Sequence, residues 1–382
     1  MTRNAEYHPL LRSGTLAVPQ TIMKKTFVLL SVISAASTAL ADTTWISTGS
    51  SAWITAANWS NGLPSAGPQL EIFADSATIQ HTIDITGATA RNTVGILFNS
   101  FAGGAGFTFG SSANNSPGFQ SRAGGTANGV LNNDDNTQTI NMSFTMFSST
   151  GVAGAAAAQT FNAAAGNLIF SGNHAGSGRS TVNNNQGTLT IDGAFNVTIG
   201  IAGAANGDII GTGGLIKNGV GTLTLGGTLA NSYTGQTTVN QGTAQGAKAS
   251  AFGTGAMRLN GGTLGTGGFN DTLGTLDVDA LSILDFGSGT SALTFADSDA
   301  QSWAGTLSVV NWTAGLDTFR VGLDGTGFDT QLALIQFADF GNAPAQIDAN
   351  GFITPVLVPE PSSALLCALG GIGLLSRFRR RA

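Results

Sequence analysis

Charge is scarce in this sequence: 9% of its 382 residues are Asp, Glu, Lys or Arg, and there are three histidines and one cysteine. So few charges do not make the surface of an ordinary α/β enzyme. The cations are also unevenly placed. Four of the 15 Lys and Arg precede Ala41 and four follow Ser376, so from Asp42 to Glu360 seven bases face twenty acids. A body this poor in cations cannot neutralise phosphates, which excludes nucleic acid as a partner. Cys367 stands alone, so no disulfide forms within the chain. His8, His81 and His174 are isolated and make neither a zinc site nor a supported catalytic triad. Neither a Gly-x-Ser-x-Gly elbow nor a Gly-Lys-Ser/Thr phosphate loop occurs. The sequence therefore implies no catalytic residue, no metal and no cofactor.

What it has in quantity is glycine, 55 residues, together with Thr, Asn and Ala. No strict Gly-X-Y period is present, so collagen is excluded and a β-rich repeat fits. The clearest unit runs from Gly211 to Thr243. Within it Thr222-Leu223-Thr224-Leu225 alternates polar and apolar, the period of a half-buried strand, and Thr237-Thr238-Val239 opens another. Between them lies a turn at Tyr233 to Gly235. Gly213-Gly214, Asn218-Gly219 and Gly226-Gly227 read as corners that take positive φ. A strand pair this short cannot bury its apolar face alone and must stack on others. Gly-Thr-Leu recurs at Gly187, Gly221, Gly227, Gly262, Gly274 and Gly305 with irregular spacing. Strands without the triplet are read at Asn167 to Phe170, Leu281 to Phe286 and Ala292 to Phe295. The pattern predicts a degenerate β-solenoid over residues 42–357, with coils of roughly 20 to 25 residues.

The run from Gly213 to Leu225, followed by Tyr233-Thr234-Gly235 and Thr237-Thr238-Val239, resembles the autotransporter-associated β-strand repeat of secreted bacterial passenger domains. The resemblance covers residues 211–243. It implies a right-handed parallel β-helix and brings no catalytic residues with it.

The two ends of the chain carry sorting signals. Met23-Lys24-Lys25, the apolar Phe27 to Ile33 and the small residues ending at Ala39-Leu40-Ala41 have the three parts of a secretory signal, with Ala39 and Ala41 at the cleavage site. This reading starts translation at Met23, so 1–22 is a non-translated or leader extension and 23–41 the signal peptide. Val358-Pro359-Glu360-Pro361 marks the opposite boundary, since two prolines in three residues resist helix and sheet alike. Ala364 to Leu375 then forms a short apolar helix, about 18 Å long against a hydrocarbon core of roughly 30 Å. Arg377, Arg379, Arg380 and Arg381 follow as a cytoplasmic stop. Residues 358–382 resemble the PEP-CTERM sorting tail. That resemblance implies recognition and removal by an exosortase-like membrane enzyme, with only transient residence in the inner membrane through residues 364–375.

Trp45, Trp53 and Trp59 open the body, and Trp303 and Trp312 lie towards its other end, where a carboxy-terminal cap is expected over about 300–357. Solenoid ends expose core and need plugs, so these rings read as caps, with a sugar-stacking platform as the alternative. For catalysis or cation binding the candidates are Asp134 with Asp135, Asp277 with Asp279 and Asp297 with Asp299, with Arg258 and Arg320 as the nearest bases. Solvated loop acids are the plainer reading. Gly265 to Asp271 faintly resembles a calcium-binding nonapeptide and does not recur. The resulting expectation is a secreted, non-catalytic structural or adhesion protein of the cell surface or an exopolysaccharide matrix. The alternative is a polysaccharide lyase or hydrolase working along one helix face.

Overall fold

A computed structural model describes residues 42–64, 70–74, 80–84, 91–93, 95–100, 104–110, 119–122, 129–147, 158–172 and 181–357. All of them fall in one compact unit. The predicted signal peptide, sorting motif, apolar helix and arginine cluster lie outside the described residues.

Strand after strand pairs in parallel with the strand one coil later, and the chain winds through three sheets in turn. In the first sheet Gln159–Ala163, Leu189–Gly193, Leu215–Lys217, Thr237–Val239, Met257–Asn260 and Leu276–Ala280 lie side by side in chain order. In the second, Leu168–Phe170, Val197–Ile199, Thr222–Leu225, Thr243–Gly246, Thr263–Gly265 and Ser282–Asp285 do the same. The third side is broken. A five-stranded sheet ends at Ile209–Ile210, and the ladder of the last coils begins at Asp271–Leu273. In the coils between those two strands the third side carries no regular strand among the described residues. The backbone N–H groups of Ser232 and Thr234 donate to the carbonyls of Ile209 and Gly211.

Alternation sends every second side chain inward, and the parallel register stacks like on like. Leu189 lies on Leu215, Ile199 on Leu225, and Val239 on Leu259, all buried. The Gly-Thr-Leu triplet recurs irregularly because it serves two sheets. Leu189 and Leu276 open strands of the first, while Leu307 opens a strand of the second and Leu223 and Leu264 are second in theirs, and all five leucines are buried. Gly227 begins the exception, since Leu229 sits exposed in a loop. Coil length varies more than expected. Gln159 pairs with Leu189, 30 residues on, whereas Met257 pairs with Leu276, 19 residues on. Pairing constrains the strands, and the loops are free to lengthen.

Three expectations need correction. First, Tyr233 does not sit in a turn. It is fully buried, and its hydroxyl lies 2.7 Å from Thr237 Oγ1. Second, of the glycines read as positive-φ corners only Gly227 has one. Gly213 is glycine for want of space, because a Cβ there would lie 1.9 Å from the Gly187 carbonyl oxygen of the previous coil. The same corner recurs upward through Gly235, Gly255 and Gly274, where a Cβ would come within 2.4, 2.1 and 2.7 Å of backbone in the coil before. Third, the sequence carries an apolar alternation through Leu307, Val309, Phe319, Val321, Leu332, Leu334 and Phe337 into the carboxy-terminal cap, but the alternation stops short of Leu332 and Leu334. Asp329–Leu332 is a one-turn helix, and both leucines are only half buried.

Aromatic rings close the described start of the coil. Trp45, Trp53 and Trp59 are buried and meet edge to face at 5.1 Å (Trp45 to Trp59) and 4.6 Å (Trp53 to Trp59). Their burial removes them as a sugar-stacking surface. At the other end the first sheet finishes on Leu276–Ala280, where the Trp303 indole N–H donates to the Leu276 carbonyl at 3.0 Å and the N–H groups of Ala304 and Gly305 donate to Val278. The other two sheets are closed by a reversal of direction. Ala343–Ile347 pairs antiparallel with Ile335–Phe337 and with Phe352–Pro355, which also pairs antiparallel with Thr318–Val321. This hairpin joins the second and third sides into one 16-stranded sheet and covers edges that would otherwise invite another chain.

Candidate functional site

The three acid pairs meet different fates. Asp134 is buried in the turn after Val130–Asn133, where its Oδ1 accepts from the backbone and side-chain amides of Asn136, while Asp135 is exposed. Asp297 and Asp299 sit in an exposed loop, and the Asp299 N–H donates back to Asp297 Oδ1 at 3.2 Å, an ordinary Asx turn. Only Asp277 and Asp279 are brought together with a base. Both point outward from Leu276–Ala280, Arg258 stands opposite Asp277 in register, and the Arg258 Nε–H donates to Asp279 Oδ2. Burial, and then the charge of Asp279, push the Asp277 carboxyl above its usual range. Arg320 joins no acid pair of this set: its Nε–H donates to the Asn350 carbonyl, and its guanidinium lies over the Phe352 ring.

Asp271, the acid of the faint calcium motif, turns into the core. Its carboxylate accepts from the N–H groups of Phe252 and Thr272, and burial raises its pKa to about 6. Among the described residues no group of three or more His, Cys, Asp or Glu is placed to hold a metal ion. No described helix is long and apolar enough to cross a membrane.

The charged groups that sequence reading missed are two lysines inside the coil. Lys217 occupies an inward position of the first sheet, between Ile191 and Val239, and its ammonium donates to the carbonyls of Gly219 and Gln241. Lys248 donates to the Gly207 and Leu229 carbonyls at 2.8 and 2.6 Å and to Asn231 Oδ1 at 3.0 Å, so one side chain ties three successive coils. Burial lowers both pKa values to about 8. A lone lysine in a glycine-rich stretch reads as surface in sequence. Its alternation with Leu215 on one strand was the signal available.

Two cavities lie at the carboxy-terminal end. One, of about 530 Å³, is walled mainly by Trp312, Phe319, Phe352, Ile353 and Val356 on the closing hairpin. The other, of about 350 Å³, lies between the 299–303 loop and the one-turn helix. Its walls are Asp299, Ala300, Gln301, Ser302, Trp303, Thr330, Gln331 and Leu334.

Comparison with known proteins gives one positive result. Residues 215–243 match the family model of the passenger-associated-transport-repeat. No curated protein and no solved structure matches the chain. The matched segment enters on Leu215–Lys217, crosses the second sheet on Thr222–Leu225, buries Tyr233 on the third side and returns to the first sheet on Thr237–Val239. The segment that matches the passenger-associated-transport-repeat is therefore one full coil of this β-helix.

Proposed function

We propose that this chain is an exported, non-catalytic structural or adhesion protein of the cell surface or extracellular matrix, associated with exopolysaccharide. The supporting observation is the match to the passenger repeat at 215–243, set within a first sheet of ten parallel strands. Residues 23–41 act as the export signal. The tail 358–382 holds the chain transiently in the inner membrane until an exosortase-like enzyme reads Pro359-Glu360-Pro361. The coil is right-handed, the sense in which parallel strands of one sheet are almost always connected.

Glu360→Ala tests the sorting step. Export should proceed, because the amino-terminal signal is untouched, while uncut precursor accumulates in the inner membrane. Intact mass of protein recovered from membrane and medium reads both cleavage points. Maturation of the variant like wild type would end the sorting reading.

One observation favours a second reading. Arg258, Asp277 and Asp279 share an outer face, a base beside two carboxylates of which one has a raised pKa, as a polysaccharide lyase or hydrolase needs. Turnover of acidic polysaccharides by the full chain, lost in Asp277→Asn, would establish that reading in place of the first.

A further inference from the structure

We infer that the 350 Å³ cavity beside Trp303 is a binding site for one neutral sugar ring of a surface polysaccharide. This inference deepens the matrix-associated reading and is independent of how the tail is processed.

The chemistry of the walls selects the ligand class by elimination. No Lys, Arg or His lines the cavity, and Asp299 contributes a carboxylate, so uronates, phosphates and other anions are disfavoured. The other polar walls are the amides of Gln301 and Gln331 and the hydroxyls of Ser302 and Thr330, which leaves too little apolar surface for a lipid chain. At about 350 Å³ the space is at the small end of the range for ligand sites. What fits is small, uncharged and rich in hydroxyls, with one face of C–H groups for an aromatic ring.

Trp303 supplies that ring, and it is held in place from two sides. Its indole N–H is used by the Leu276 carbonyl, and its ring meets Phe328 edge to face at 5.5 Å, while the side chain stays half exposed. A ring pinned at its polar end and on one side presents a fixed apolar face at little entropic cost. The opposite wall is fixed by Gln331, which is buried. Its Nε2 donates to the carbonyls of Asp299 and Gln301, and its Oε1 accepts from the Thr330 hydroxyl at 2.7 Å. The cavity is thus shaped before any ligand arrives, by bonds that cross between the loop and the helix. The amino-terminal tryptophans are buried and cannot serve this role.

The full chain should be titrated calorimetrically with neutral oligosaccharides built from glucose, galactose and mannose, and with oligoglucuronate as the anionic control. At least one neutral series should bind and the control should not. Trp303→Leu should weaken binding about tenfold or more, equivalent to about 1.4 kcal/mol. Asp299→Ala and Thr330→Val, both on exposed positions, should each weaken it several-fold without loss of β circular dichroism. If Trp303→Leu does not fold, these two variants decide. The inference is overturned if no neutral sugar binds, if oligoglucuronate binds as tightly, or if the folded variants bind like wild type. Localisation of the Glu360→Ala precursor is unaffected by any of these outcomes, so the two readings fail separately.

Discussion

Lys248→Met should remove a large part of a rise in stability with pH that the wild-type protein shows in alkaline solution. In the fold burial strips the Lys248 ammonium of water, which lowers its pKa from 10.5 to about 8, although two carbonyls and one amide oxygen accept its hydrogen bonds. Between those two values the unfolded chain holds the proton and the folded chain does not. Unfolding therefore takes up protons, and stability rises with pH across that window. Below pH 8 both states are protonated and the contribution is flat. Integrated from pH 7 to about 9.5, this one group gives about 2 kcal/mol. Lys217, shifted in the same direction, adds to the slope. Tyr233 works against it only above pH 10, since its pKa is raised and the folded state then keeps the proton longer. Urea unfolding of wild type and Lys248→Met, followed by circular dichroism at several pH values from 7 to 9.5, isolates the effect as a difference. The wild-type midpoint should climb relative to the variant. A difference that stays constant with pH would show that the ammonium is solvated and that it does not tie the three coils together.

Three other substitutions probe the coil packing directly. Gly235→Ala places a Cβ 2.4 Å from Gly213 backbone in the preceding coil and should cost about 3 kcal/mol or more, whereas Gly110→Ala meets nothing within 4 Å and should shift the urea midpoint little. Tyr233→Phe leaves the buried Thr237 hydroxyl without its phenolic partner, so it should cost about 1 kcal/mol at neutral pH. The same variant should lack the wild-type loss of stability above pH 10, because the wild-type phenol ionises only at about 12 when folded.

The local sequence determined that strands form and that they must stack. Thr222-Leu223-Thr224-Leu225 could only be a half-buried strand, and too short a one to stand alone. Gly-Thr-Leu marked real strand starts at five of its six positions. Which sheet each strand joins was not legible, because that depends on how many residues the intervening loops take, and loops here run free of any period. The reason for Gly213 was likewise hidden. A glycine needed for positive φ and one needed because the previous coil passes 1.9 Å from its Cβ position look the same in a string of letters. Tyr233 was read into a turn and Lys217 was not singled out for a related reason: a phenol in a Ser-Tyr-Thr-Gly stretch and a lone amine both suggest solvent. Only the folded coil brings the Gly219 and Gln241 carbonyls onto the Lys217 ammonium and the Thr237 hydroxyl onto the Tyr233 phenol. The acid pairs could be listed from the sequence, but only the stacking of Met257–Asn260 on Leu276–Ala280 set Arg258 beside Asp277 and Asp279 and left the others apart. The Trp303 cavity belongs wholly to the tertiary level. Its walls come from the 299–303 loop and the helix at Asp329–Leu332, brought together where the first sheet ends and its last edge has to be covered.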